Sequence, residues 1–208
     1  MTESAQNVQV AAGAFAGFAP AGTAKPTLAA GAIGTSDPAA PWKDLGYVTE
    51  DGITNTRSRS SETFGAWQSP SPIAVLVTEI TDVLGFSIRE WNQNAFAFTY
   101  GIPAVPAAKL WEPSKLTIAS VAMLLQWDWL GYGTQLYIPR GTVQGDTETV
   151  LARTAPSDLA VEFISTPSGA EAIWTFETNH PAFASIPAGL EAFAVEGGGV
   201  EVKSGKAA

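Results

Sequence analysis

The stretch WKDLGYVTEDGITNTRSRSSETFGAWQSPSP, from Trp42 to Pro72, decides how the rest of the chain is organised. It contains an Asp51-Gly52 pair between two β-prone runs, and such a pair is a strong short-range signal for a turn. The residues that follow are polar on both faces, so a hydrophobic core would not fix their register. We therefore predict a long projecting hairpin over residues 47–72, which runs out over residues 53–59 after this turn and returns over residues 63–67.

The sequence leaves two interpretations of this hairpin open. In the first, it is an ordinary solvent-facing hairpin whose Trp67 packs against its own domain. In the second, it reaches another subunit, with Arg57 and Arg59 on one side at the two-residue spacing of a strand. The second interpretation gives a set of candidate inter-subunit contacts, which are Phe15, Phe18, Trp42, Arg57, Arg59, Glu62 and Trp67.

Residues 1–41 are predicted to form an N-terminal arm and a first strand. They are rich in Ala and Gly with few charges, so the segment buries little area per residue and supports itself weakly. It is either a flexible tail or an arm that lies along a neighbouring subunit, anchored by Phe15 and Phe18. In the second case residues 1 to about 20 become ordered only on assembly, because ordering costs roughly 1–2 kcal/mol per residue.

The segment after the prolines is typical of strands. Residues 73–80 are apolar and β-branched, whereas residues 84–88 alternate between large apolar and small or polar side chains. The break at Thr81-Asp82 is short, so we predict that these two strands pair with each other as a hairpin.

One main helix is predicted over residues 89–100. Trp91, Ala95 and Phe98 follow each other at helical spacing and form one face, which we expect to pack in the core. Pro103 prevents the helix from continuing.

Further strands are predicted along the rest of the chain, each bounded by turn residues. Pro139 is expected to end its strand or to place it at a sheet edge. The predicted strands cover residues 113–129, 135–138, 147–153, 159–164 and 172–178. Many short strands with one helix predict a mainly β (α+β) fold, an antiparallel β-sandwich or barrel, over residues 42–196. The Gly-rich residues 197–208 are predicted to be a flexible tail.

The composition excludes several classes of function. A net charge of −9 argues against wrapping by nucleic acid, which requires Lys and Arg to replace phosphate counterions. The chain has no Cys, so it has no disulfide, no thiolate metal site and no Cys nucleophile. We found no apolar run long enough for a membrane span and no secretory signal, so we expect synthesis in a cytoplasm. Charged residues make up only 15%, which suggests that partners cover much of the surface.

The sequence offers little for catalysis. His180 is the sole His and precedes Pro181, so we predict that it lies in a surface loop and contributes little to packing. No nucleophile elbow or phosphate-binding loop accompanies it. We therefore expect no enzymatic activity, no cofactor and no metal. The seven Trp residues leave a β-sandwich binding module, for carbohydrate or for protein, as the alternative to an assembly protein.

Several motifs in order resemble a known family. They are GAFAGFAP with GTAKPT near the start, then WKDLGYVTEDGI, Trp67-Gln68 and IREWNQNAFAFTYG. Together they resemble the major tail proteins, or tail tube proteins, of long-tailed phages that infect actinobacteria, over roughly Gly13 to Pro181. The early segment departs from the family because it has Ala and Phe where relatives carry bulkier β-branched residues.

The resemblance implies a structural virion protein of the phage tail. Such proteins form hexameric rings that stack head to tail into a hollow tube, through which DNA passes without sequence-specific binding. The implied partners are other copies of the chain, the tape-measure protein, the tail terminator and the distal tail or baseplate proteins. The resemblance also implies a helix outside the β-barrel wall, and the lumen is expected to be acidic, so that DNA does not adhere to it.

Overall fold

The computed structural model of this chain describes residues 12–28, 40–100, 120–144, 151, 153 and 156–183. These residues form an antiparallel sheet, one short α-helix and a 3-10 turn. The elements in chain order are β1 Ala12–Pro20, β2 Lys43–Asp44, β3 Thr54–Ala66, β4 Ser69–Ile88, α1 Gln93–Thr99, β5 Val121–Trp129, β6 Tyr132–Gln144, β7 Leu159–Ser165, β8 Thr175–Thr178 and the 3-10 turn Pro181–Phe183. The prediction of a mainly antiparallel β fold with one flanking helix is confirmed.

The strands are ordered β2-β1-β5-β6-β7-β4-β3, and β8 pairs with β6 beside the end of β7. The segment after β2 connects β1 and β4, which lie next to the two ends of this order. Leu45 N–H donates to the Ala16 carbonyl of β1 at 2.9 Å, and a few residues later Thr49 N–H donates to the Ser87 carbonyl of β4 at 2.9 Å. Val48 also bridges Ile88. One short segment therefore touches both β1 and β4, and this closes the body of the sheet into a barrel-like form.

The main core lies on one face of the sheet. Alternate residues of each strand point into it, as the two-residue period of a strand requires. Its buried large side chains include Leu45, Leu84, Phe86, Ile88, Phe98, Met123, Ile138, Leu159, Val161 and Phe163. A smaller cluster of Ala19, Trp42, Ala122, Leu124 and Tyr137 covers the opposite face.

The helix α1 is shorter than predicted. It begins after Asn92, whose side chain caps it by accepting a hydrogen bond from Ala95 N–H at 2.8 Å. Ala95 and Phe98 are buried in the main core as predicted, and the Phe98 ring lies 5.9 Å from Phe163. The helix therefore packs on the core face of the sheet. Its place outside the barrel wall, which the resemblance implies, stays a prediction.

The prediction that Trp91 lies on the core face of this helix is wrong. Trp91 precedes the cap, is 44% exposed, and donates its indole N–H to the Ser157 carbonyl at 2.7 Å. Because the helix starts later than its sequence spacing suggested, Trp91 does not follow the helical phase of Ala95 and Phe98.

Two predicted strands are in fact one. Residues 73–80 and 84–88 do not pair with each other; they belong to the 20-residue strand β4, which runs straight through Thr81 and Asp82. Asp82 does not break the strand because its carboxylate is paired with Arg57, whose residue lies directly opposite on β3.

Pro139 does not end a strand or mark an edge. It lies within β6, between β5 on one side and the pair β7 and β8 on the other. On the β5 side the register shifts between Val121 and Met123, and on the other side β8 pairs only up to Tyr137 while β7 starts at Gly141. Pro139 sits in both gaps, where its missing N–H costs no ladder bond.

The remaining expectations have mixed outcomes. Ala12–Pro20 is paired with β5 and β2 within the single subunit, so the expectation that this stretch orders only on assembly is wrong for it. β7 confirms the predicted strand over residues 159–164, and β8 covers the last part of 172–178. Residues 1–11, 113–119, 147–150 and 197–208 lie outside the described residues, and the boundaries at 41–42 and 196–197 stay predictions.

Candidate assembly surface

The hairpin of β3 and β4 extends well beyond the barrel body. Strand β4 pairs with β7 only over Val83–Ile88, and β7 ends at Ser165. From Asp82 outward, among the described residues, β4 pairs with β3 alone, up to the pair of Ala66 and Ser69. The outer part of the hairpin is therefore a two-stranded ribbon with no sheet on either side. This confirms the prediction of a long projecting hairpin.

The position of its turn differs from the prediction. The chain reverses at Trp67-Gln68, whereas the Asp51-Gly52 turn lies at the base, where Gly52 N–H donates to the Thr49 carbonyl at 3.0 Å. The Asp-Gly turn leads into the outgoing strand as predicted, but residues 63–66, which we expected to form the return, belong to that same strand β3. The returning limb is β4, so it contains the apolar run that we had placed in the body.

The returning limb exposes large apolar side chains on both faces. Val75 and Val77 are 64% and 49% exposed, and Leu76, which points to the opposite face, is 54% exposed. Ile73 and Ile80 are also exposed, at 64% and 44%. An exposed apolar patch of this kind typically marks an interaction surface. Two bare apolar faces on one ribbon indicate that something other than this subunit covers them.

The outgoing limb is polar. The outgoing limb places Thr63, Glu62 and Ser61 opposite Val75, Leu76 and Val77 of the returning limb, respectively. One limb of the hairpin therefore carries the apolar surface, and the other carries hydroxyl groups and charges. This asymmetry gives the ribbon a fixed orientation with respect to any surface that it contacts.

The tip of the hairpin is fully open to solvent. Trp67 is 99% exposed, and Phe64 beside it is 48% exposed. The interpretation in which Trp67 packs against its own domain is therefore wrong. A free Trp at the end of a ribbon is the kind of side chain that dominates protein interfaces.

An ion pair holds the base of the hairpin. Arg57 donates from Nε and Nη2 to the two carboxylate oxygens of Asp82, at 2.9 and 3.0 Å, and Asp82 is only 4% exposed. The guanidinium also lies over the Trp174 ring, 5.3 Å from its centroid. The hydrogen bonds to Asp82 raise the pKa of Arg57, while burial lowers it by less.

The other candidate contacts divide into two groups. Arg59 and Glu62 are exposed on the hairpin, as an interface role requires. Phe18 and Trp42 are buried in the two core clusters of their own subunit, and Phe15 packs partly against the smaller one. The structure thus brings together the hairpin candidates but separates them from those of the N-terminal segment.

His180 does not lie in a surface loop. It is 4% exposed, its ring stacks on Trp129, and Tyr132 meets it edge-on at 4.9 Å. Its Nδ1 accepts a hydrogen bond from Ala182 N–H at 3.2 Å. The imidazole is therefore a packed and hydrogen-bonded side chain, and the prediction of a small packing contribution is wrong.

A polar network missed by the sequence analysis supports the second face of the sheet. Gln126 donates to Gln135 at 3.0 Å, and Gln135 donates to Glu177 at 2.8 Å. Lys25 forms an ion pair with the same Glu177 carboxylate. Burial would raise the pKa of Glu177, but the hydrogen bonds from Lys25 and Gln135 outweigh it, so the pKa lies below its ordinary value. The network ties the segment after β1 to β5, β6 and β8.

Metal-binding clusters and membrane-spanning helices are two features that the described residues lack. Within them, no three His, Asp or Glu side chains lie closely enough together to hold a metal ion. In the same part of the chain, no helix has the length and apolar character that crossing a membrane would require.

Comparison with known proteins identifies the family. A family model described as phage tail tube protein matches residues 1–188. A chain in the cryo-electron microscopy structure of the anti-feeding prophage baseplate, 6-fold symmetrised, is similar at 9% identity with a TM-score of 0.43, over 86% of this chain and 97% of that one. No curated protein sequence matches. The chain therefore belongs to the phage tail tube protein family and is a structural protein of the phage tail.

Proposed function

We propose that this chain forms hexameric rings that stack into the hollow tube of a long-tailed phage, and that the projecting hairpin makes the contacts between subunits. The observation that carries the proposal is the returning limb of the hairpin, whose apolar side chains are exposed on both faces. Membership of the family means that the chain is a structural protein of the phage tail. The exposed hairpin is the surface through which we propose that its copies assemble.

The physical argument starts from the cost of leaving this surface in water. Burying apolar surface contributes about 25 cal/mol per Å², so Ile73, Val75 and Val77 favour a state in which a partner covers them. In a ring or a stack of rings, the hairpin of one copy contacts a different patch on the next copy. Such heterologous contacts make closed rings or, with a rise along the axis, filaments.

The charge of the chain supports passage of DNA. At −9 per subunit, a ring of several copies is strongly acidic, and an acidic wall does not retain phosphate groups. In this proposal the DNA moves through the lumen without sequence-specific contacts. The tape-measure protein, the tail terminator and the distal tail or baseplate proteins are the further partners.

We extend the proposal to the finer points of the resemblance. The host is an actinobacterium, the tail is of the siphovirus type, and the protein is made in the host cytoplasm before it enters the virion. Its role is non-enzymatic, because the one imidazole is held between aromatic rings and accepts a backbone hydrogen bond.

The test is assembly of the purified chain with a changed hairpin face. In Val75→Thr/Val77→Thr each new side chain has nearly the shape of the old one and keeps β-propensity, so the free subunit should fold as before. The single exchange Val83→Thr, on the same strand within the barrel body, is the matched control. Negative-stain electron microscopy and sedimentation report rings and tubes, and circular dichroism reports folding.

We expect tubes from the unchanged protein and from Val83→Thr. The double variant should need at least about tenfold more protein to assemble, which corresponds to a loss of about 1.4 kcal/mol per contact. Failure of the unchanged protein to form rings or tubes under any condition would overturn the proposal of self-assembly. If the double variant forms tubes at the same protein concentration as the unchanged protein, this face of the hairpin is not part of the interface.

A further inference from the structure

We infer that Arg57 sets the angle at which the hairpin leaves the barrel, by clamping Asp82 and resting on Trp174. The inference deepens the proposed function and rests on it only where assembly is concerned. Arg57 is thus a positioning residue for the assembly surface, and Arg59 is left as the hairpin cation that can reach a partner.

The location of the clamp is the first argument. Asp82 lies on β4 between Ile80, which is 44% exposed, and Leu84, which is 3% exposed. It is therefore the residue at which the strand passes from the barrel body into the free ribbon. Because β7 ends opposite this point, no neighbouring strand holds β4 beyond it in the described chain. The ribbon is joined to the neighbouring strand of the body through β4 alone, so without a further contact it would bend at this point.

The geometry of the clamp is the second argument. Two parallel N–H···O bonds between a guanidinium and a carboxylate fix both distance and orientation, which a single bond does not. Trp174 belongs to the segment between β7 and β8, so the stack on its ring links the hairpin to the part of the body beside the gap. Arg57 thus connects β3, β4 and that segment at one point.

Arg59 provides the contrast. It lies two residues further along the same strand and on the same side, opposite Ile80. It is exposed, and within the described residues it forms no ion pair. Two arginines of one strand therefore have different surroundings, although the sequence alone makes them equivalent.

A spectroscopic experiment on the free subunit tests the inference directly. The chain has no Cys, so introduced cysteines at Gln68 on the tip and Glu162 on β7 take spin labels without background. The labelled protein is kept below the concentration at which it assembles, and double electron–electron resonance measures the tip-to-body distance distribution. The comparison uses Arg57→Gln, with Arg59→Gln as the matched control.

A second variant distinguishes the effect of losing the clamp from the destabilisation that an unpaired buried carboxylate would cause. In Arg57→Gln/Asp82→Asn both charges are removed together, so no unpaired carboxylate remains buried. Arg57→Lys keeps one charged bond but not the bidentate geometry, so it should give an intermediate width. Hydrogen exchange of β5 and β6 shows whether the body is intact in each variant.

We expect distance distributions about twice as wide as in the parent for both Arg57→Gln and the double variant, with unchanged exchange in the body. Arg59→Gln should match the parent. Parent-like widths in both Arg57 variants, or equal broadening by Arg59→Gln, would overturn the inference. This measurement needs no tubes: if the unchanged protein fails to assemble, the proposed function fails while the hinge assignment is still tested.

Discussion

The imidazole of His180 lies flat against the indole of Trp129, with ring centroids 4.2 Å apart and planes 9° from parallel. Trp129 ends β5, and His180 follows β8, so the stack joins the two strands that flank β6 at this end of the sheet. Phe183 meets Trp129 edge-on at 5.8 Å and completes the cluster. The pair is therefore a packing contact between segments that are distant in sequence.

Replacement of His180 by Gln should lower the free energy of unfolding by about 1–3 kcal/mol, because the stack and the Ala182 hydrogen bond are both disturbed. His180→Phe keeps an aromatic ring on Trp129 and should lose less. Urea unfolding followed by Trp fluorescence measures both. A midpoint for His180→Gln equal to that of the parent would show that the stack contributes nothing.

Gly141 is predicted to be intolerant of any side chain. A Cβ at this position would lie 2.4 Å from Cζ of the Phe163 ring and 2.6 Å from the Ile164 carbonyl. Gly141→Ala should therefore cost about 1–3 kcal/mol through overpacking. Gly65→Ala is the matched control, because a Cβ there meets nothing within 4 Å. Thermal unfolding of the two variants should differ clearly, and equal midpoints would contradict the packing argument.

The stability contributed by Glu177 should depend on pH in the acid range. Its folded-state pKa lies below the ordinary value of 4.5, so its stabilising effect is complete above that value and is lost as the pH falls through the folded pKa. The melting temperature of the parent should exceed that of Glu177→Gln at pH 7, and the difference should shrink below pH 4.5. Glu62→Gln serves as a charge-matched control. A difference that grew on acidification would contradict the sign.

Reversing the charge of Arg59 should block tube growth while the subunit stays folded. In the double change of Arg57 and Arg59 to Glu, the carboxylate introduced at position 57 would face the buried Asp82 and disturb the hairpin base. Arg59→Glu alone is the cleaner test, since its side chain is exposed. Circular dichroism checks folding and negative-stain microscopy checks assembly. Normal tubes from this variant would exclude Arg59 from the contact.

The sequence by itself determined the fold class and part of the core. Two-residue alternation identified the strand residues 84–88, turn residues delimited the strand at 159–164, and helical spacing placed Ala95 and Phe98 in the core. The sequence also determined the lack of thiol chemistry, and the projecting hairpin followed from its polar first limb. These features depend on neighbours a few residues apart, so a local pattern carries them.

Only the tertiary structure decided which surfaces are covered. Residues 73–80 have the composition of a core strand, yet they are exposed because β7 ends at Ser165 and no strand lies beside them in the described chain. His180 is buried because Trp129 and Tyr132, about fifty residues earlier, lie against it. Arg57 and Arg59 differ only because Asp82 and Trp174 reach one of them. The residues of a strand determine its two-residue period and its hydrophobicity. The surface that buries the strand is supplied by distant parts of the chain or by another molecule.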